Sequence, residues 1–274
     1  MRFMNGISLG QFIPGDSPIH NLDPRCKIVA TFALLAGLFL ASTPYDFILW
    51  GLLLCLLSRF SKISVGTILR SGRPVLFLIV ITVILNLFWA PGREIFCLGP
   101  LSVTQEGVVF AFSMGMRLYF LVVFAGMLMM TTSPMSFSDG LERLFSPLAK
   151  VGFPASEMAM MMTIALRFIP TLFEETDRIL KAQISRGADF ESGGLIKRAK
   201  SFIPVLIPLF VLVFQRAENL AVAMESRCYV PGEKRTRLNP IVWRVGDTLA
   251  IAFVIGYIAL VMFIERVFFR AFPI

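Results

Sequence analysis

Few residues in this 274-residue chain have the types and spacing that chemistry needs. His20 is the sole histidine, which removes most schemes using imidazole as a base or a metal ligand. The four cysteines, Cys26, Cys55, Cys97 and Cys228, contain no CxxC pair and lie too far apart for a disulfide framework or a metal site. No GxxxxGK(S/T) loop is present to cradle phosphates, and the apolar stretches hold no carboxylate pair or nucleophile–base set. These absences point away from a catalytic residue, a bound metal or a cofactor on this chain.

What does recur is a cationic tip. "AQISRGADF" (182–190) and "AMESRCYVP" (223–231) each place Ser-Arg and then a small residue where a long helix is expected to end. A guanidinium there offers five donors in a rigid fork, suited to carboxylates or exposed carbonyls of a partner. Small neighbours let such a tip enter a groove. An arginine at a helix C-terminus also complements the helix dipole, worth about 0.3–1 kcal/mol. That is explanation enough for one helix, whereas two matched endings favour docking.

The helices carrying these tips share a build. One is expected over about 156–185 and the other over about 195–226, each with an apolar first half and a charged second half. At about 1.5 Å per residue each could reach roughly 45 Å, longer than a bilayer core and too polar at one end to lie wholly in lipid. In both, an acid (Asp177, Glu218) precedes the arginine by nine residues and an alanine (Ala182, Ala223) by four. "FIP" occurs at 168–170 and at 202–204, about one heptad out of step relative to the arginines. A shared mechanical role accounts for this better than a duplication. A shorter amphipathic helix is expected around 136–152, with Ser138 or Asp139 as its cap.

Composition places these helices at a membrane. Hydrophobic residues make up 56% of the chain and charged residues 16%, and 27 residues are Phe; the mean hydropathy is +0.76. A water-soluble domain of this size cannot bury so much apolar surface. The net charge of +8 fits basic cytoplasmic loops rather than nucleic-acid binding. The N-terminus lacks the continuous apolar run of a signal peptide. Five spans are expected, over 27–42, 46–60, 74–90, 107–130 and 245–264, giving an all-α polytopic membrane protein. The apolar run at 202–214 is short, contains Pro204 and Pro208 and is flanked by bases, so it is expected to press against the cytoplasmic ends of the spans. Arg59, Lys62, Arg70 and Arg73 mark the loop after the second span as cytoplasmic, whereas Arg93 is offset by Glu94 and Glu106. The N-terminus, with Arg2, Arg25 and Lys27, is therefore expected inside, residues 1–131 carry the first four spans, 132–242 form a cytoplasmic coupling region, and 243–274 hold the last span. The C-terminus is then expected outside, with Arg266 and Arg270 counting mildly against that last step.

Other polar residues fit structural roles. Arg117 lies near the outer end of its span and is expected to snorkel, Asn86 to bond a neighbouring helix, and Asp23-Pro24-Arg25 to fix the approach to the first span. A self-contained carrier would need more polar residues along a pathway than Asn86 and Arg117 provide.

Five segments in order, "HNLDPRCKI" (20–28), "TSPMSFSDGLERL" (132–144), "ALRFIPTLFEE" (165–175), "AQISRG" (182–187) and "AENLAVAMESRCY" (217–229), resemble the transmembrane T component of energy-coupling factor transporters, the family that includes the cobalt-transport permease CbiQ. The resemblance covers nearly the whole chain. It implies two long crossing helices and a non-catalytic scaffold that joins two cytoplasmic ATP-binding-cassette ATPases, which carry the ATP-Mg, to a small membrane S component binding a vitamin or metal ion. A dedicated cobalt- or nickel-type permease component is the alternative within the family. The family's Ala-Arg-Gly-like ATPase-docking motifs map onto Ser185-Arg186-Gly187 and Ser226-Arg227-Cys228. Ser replaces Ala twice, and Cys228 replaces a glycine that would stop a helix easily in the left-handed region, so the second terminus is expected to cap differently. The apolar halves of the long helices, with Met158, Met160, Met161, Met162, Ile203, Leu206 and Leu209, are the expected face for the S component, because methionine adapts to differing surfaces.

Overall fold

The computed structural model describes residues 12–41, 43–89, 94–98, 101–147, 154–190, 192, 194–230 and 242–271. Arg2 and Arg93 of the sequence reading, and part of the helix expected around 136–152, lie outside them. The regular elements among the described residues are helices except for one antiparallel hairpin, β1 (Glu94–Leu98) and β2 (Leu101–Thr104), in which Leu98 pairs with Leu101. The all-α expectation is amended by this hairpin alone. Its signal was present in the sequence as two short runs, EIFCL and LSVT, either side of Gly99-Pro100.

The chain divides into two compact units, one of Met1–Gly140 with Pro240–Ile274 and one of Leu141–Asn239. In the first, α1 (Pro24–Leu40) begins with proline at its first position, where a missing N–H costs nothing. It is followed by α2 (Asp46–Ser61), a short α3 (Val65–Arg70) running through a 3-10 turn into α4 (Leu76–Trp89), and α5 (Gln105–Thr131). Next comes α6 (Pro134–Phe145), which starts earlier than expected. The Ser133 hydroxyl accepts from the Ser136 N–H at 3.2 Å, so the cap lies there, and Ser138 is buried inside the helix.

The core of this unit lies among α1, α2, α5 and the last helix, α10 (Val245–Ala271). Trp50, fully buried, meets Phe124 edge-on at 5.8 Å and Tyr257 at 6.2 Å. Such pairs add about 0.5–1.5 kcal/mol each beyond burial. The Tyr257 hydroxyl donates to the Leu49 carbonyl at 2.6 Å, joining α10 to α2.

Among the described residues, four helical stretches are long and apolar enough to cross a bilayer: Val65–Phe88, Gln105–Thr131, Ile196–Glu225 and Val245–Val267. This differs from the expected five in two ways. Helices α1 and α2, at 17 and 16 residues, are one or two residues short of that length, and each covers only about 25 Å of a core roughly 30 Å thick. Conversely Ile196–Glu225, set aside in the sequence because of its flanking bases, meets the length and composition of a span.

The second unit contains α7 (Ala155–Ser185), α8 (Leu195–Ser201) and α9 (Ile203–Glu225). The single helix expected over 195–226 is interrupted at Phe202, just before Pro204. Proline lacks the N–H that would continue the ladder from the preceding turn. The two "FIP" copies consequently play different parts: Pro170 lies inside α7, while Pro204 opens α9.

Candidate docking site

The two tips end in the same backbone motif. At the end of α7 the Gly187 N–H donates to the Ile184 carbonyl at 2.9 Å and the Ala188 N–H to Gln183 at 3.0 Å. At the end of α9 the Cys228 N–H donates to Glu225 at 2.9 Å and the Tyr229 N–H to Met224 at 3.0 Å. Both have the hydrogen bonds of a Schellman cap, in which the residue after the arginine turns left-handed. Gly187 has φ +87° and Cys228 φ +56°. The expectation that Cys228 caps differently is thus corrected: cysteine takes the glycine conformation. The hydrogen bonds of the motif hold it there against a steric cost of about 1–2 kcal/mol.

Ser185, Arg186, Gly187, Ser226, Arg227 and Cys228 are all exposed. The serine hydroxyls turn back onto their own helices, Ser185 donating to Lys181 O and Ser226 to Ala223 O, both at 3.0 Å. Among the described residues, neither the Arg186 nor the Arg227 side chain has an ion-pair or hydrogen-bond partner. Each presents an uncommitted guanidinium beside small residues.

Contacts between the helices fix where the tips stand. The Glu175 carboxylate on α7 accepts from the Arg216 guanidinium on α9 at 3.1 Å, with both side chains half-buried. Further along, the Gln183 amide donates to the Pro204 carbonyl at 3.3 Å. That carbonyl lacks its own helical donor, because residue 208, four further on, is proline. The order of these contacts makes α7 and α9 antiparallel, so Arg186 and Arg227 sit at opposite ends of the pair. Each is eleven residues beyond the Glu175–Arg216 contact, about 16 Å along a helix. Phe190 folds back onto Phe202, ring centroids 5.1 Å apart, closing the chain beneath the first tip.

Met158, Met161, Met162, Ile203 and Leu206 are exposed, and Met160 and Leu209 half-buried. Their apolar neighbours Ile207, Phe210, Val211 and Phe214 on α9 are exposed as well. Only 6% of the most apolar window of Ile196–Glu225 is covered by the rest of the chain.

Around "HNLDPRCKI" the first unit forms a polar node that the sequence did not disclose. Both oxygens of buried Asp247 accept backbone N–H groups at 2.7 Å, one from Asp23 at the start of α1 and one from Arg244 before α10. The Cys26 thiol donates to the Asp247 carbonyl at 3.3 Å. The Lys27 ammonium donates to the carbonyls of His20 at 2.8 Å and Thr131, the last residue of α5, at 3.0 Å. The Asp23 carboxylate caps α1 through the Arg25 N–H at 2.8 Å and lies 3.5 Å from the Arg25 guanidinium, in line with the expected fixing of the approach to the first span. Gly140 of α6 stands so close that an added Cβ would lie 3.0 Å from Pro24 Cβ, which explains a glycine inside that helix.

Two intramembrane residues behave differently from expectation. Rather than snorkelling, Arg117 donates to the Ala41 carbonyl at 2.6 Å, closing the C-terminus of α1, and lies over the Phe39 ring. Asn86 donates to Thr82 O of its own helix at 2.8 Å rather than to a neighbour.

These features define the class: a multi-span membrane protein whose long, amphipathic helices end in two matched cationic tips. The chain belongs to the CbiQ family, described as cobalt transport protein, which matches residues 15–238. It is similar to proteins named energy-coupling factor transporter transmembrane protein EcfT. The relative from Thermanaerovibrio acidaminovorans is 55% identical over 97% of this chain and 99% of its own. That from Ruminiclostridium cellulolyticum is 46% identical over 96% and 98%, and that from Bacillus subtilis 38% over 96% and 99%.

Proposed function

We propose that this chain is the non-catalytic transmembrane scaffold of an ECF-type importer. Two cytoplasmic ABC ATPases, binding ATP-Mg, grip Arg186 and Arg227 with their small neighbours. Movement of these tips is passed to a small S component, which binds a vitamin or metal ion and lies against the apolar halves of α7 and α9. On this reading residues 132–242 and the N-terminus lie on the cytoplasmic side. The observation carrying the reading is the pair of tips: identical caps, uncommitted arginines and placement at opposite ends of an antiparallel pair. Two separate partners can be held there at once, and simple dipole complementation demands no such match.

The test is to purify the complex from membranes carrying Arg186→Glu together with Arg227→Glu. The protein is expected to remain folded and inserted but to lose both ATPases; an intact, active complex would overturn the reading. The family's description as a cobalt transport protein favours a second reading, a dedicated cobalt- or nickel-type permease component. A single, invariable membrane partner in the wild-type preparation would select it, whereas several interchangeable partners would select the shared scaffold.

A further inference from the structure

Glu175 and Arg216 stand out on the long helices because nothing about the tips requires them. Among the described residues theirs is the only ion pair joining α7 to α9. The Glu175 carboxylate also draws Arg178 to 3.8 Å, but that side chain is largely exposed and belongs to the same helix. The charges sit where each helix changes from its apolar to its charged half, and the two arms from this contact to Arg186 and to Arg227 are equal in length. A charge-assisted bond between half-buried partners resists sliding, because moving one past the other breaks it. Rotation about the contact keeps the bond.

We propose that the Glu175–Arg216 pair is the pivot about which α7 and α9 turn, a positioning pair that touches neither the ATPases nor the S component. The proposal rests on the coupling scaffold reading above. Displacement of one tip then reaches the apolar half of its own helix, beyond the pivot, instead of being lost as slippage, and the exposed Gln183–Pro204 bond, 3.3 Å long, must open as the helices turn.

The complex isolated from its own membrane with both ATPases allows a direct test. Spin labels at Ala182 and Ala223 follow the tip halves, and labels at Ala165 and Ile207 follow the apolar halves; all four positions are exposed. Trapping with Mg-ATP and vanadate is expected to shift both distances in the wild-type complex. In Glu175→Gln, and separately in Arg216→Gln, the tip shift is expected to persist while the shift between the apolar halves is lost. Exchanging the charges, Glu175→Arg with Arg216→Glu, is expected to restore it, since exposed Arg178 can swing clear. Wild-type shifts of the apolar halves in the single variants would overturn the pivot. So would loss of the ATPases or of the tip shift in those variants, which would make the pair a general stabiliser. A wild-type complex in which trapping moves neither pair of labels would overturn the scaffold reading and the pivot with it.

Discussion

At residue scale, Cys228 is the informative position. Its left-handed backbone is set by the two cap hydrogen bonds and not by its side chain, so glycine should relieve it and a β-branched residue should strain it. Cys228→Gly is expected to steady the end of α9 by about 1 kcal/mol and Cys228→Val to weaken it. Hydrogen exchange at the Tyr229 amide, slower in the first and faster in the second, measures this; equal rates would show that the cap is not strained. The sequence displayed the repeated Ser-Arg but not the repeated conformation. Cysteine carries no local preference for a positive φ, so only the register of hydrogen bonds reveals the match. Arg117 teaches the same lesson in reverse. A charge in an apolar run reads as exposed to an interface, yet here it serves the carbonyl of Ala41 at the end of another helix.

At the scale of elements, the buried carboxylate of Asp247 deserves a prediction because it holds the starts of two helices that are remote in sequence. Asparagine can accept only one of the two N–H groups without turning its own amide toward a donor. Asp247→Asn is expected to cost about 1–3 kcal/mol, seen as a lower unfolding temperature of the detergent-solubilised complex; an unchanged midpoint would mean that a second acceptor replaces the lost oxygen. Long helices were legible from the sequence, since apolar runs and their charged ends are local properties. Their breaks and bonds were less so. Pro204 was visible, but that it would divide the helix expected over 195–226 rather than sit within it depends on how Phe202 closes α8. That the carbonyl left free by Pro208 would be taken by Gln183 depends on which helix lies alongside. The contact between Asp23 and Asp247 spans 224 positions, beyond the reach of any periodicity.

At the scale of the whole molecule, the membrane assignment followed directly from composition, and the family from five short segments in order. Counting spans was harder, because α1 and α2 are short for a bilayer and Ile196–Glu225 is as long and apolar as the other candidate spans. Side-specific labelling resolves this. With Cys55, Cys97 and Cys228 first changed to serine, a membrane-impermeant maleimide on intact cells is expected to reach Ser102→Cys in the hairpin. Ser192→Cys, just past the first tip, is expected to react only after permeabilisation. Labelling of Ser192→Cys from outside would place the tips on the wrong side for any cytoplasmic ATPase.

The equal spacing of Arg186 and Arg227 from the Glu175–Arg216 contact has a mechanical meaning. Under the pivot proposal these are the effort arms of two levers, so equal displacements of the two tips turn the two helices through equal angles. Two ATPases of unequal sequence or unequal rate, gripping opposite ends, would then contribute equal displacement per stroke, and the output would depend on their sum. A device of this kind tolerates asymmetry in its motors without a matching asymmetry in itself.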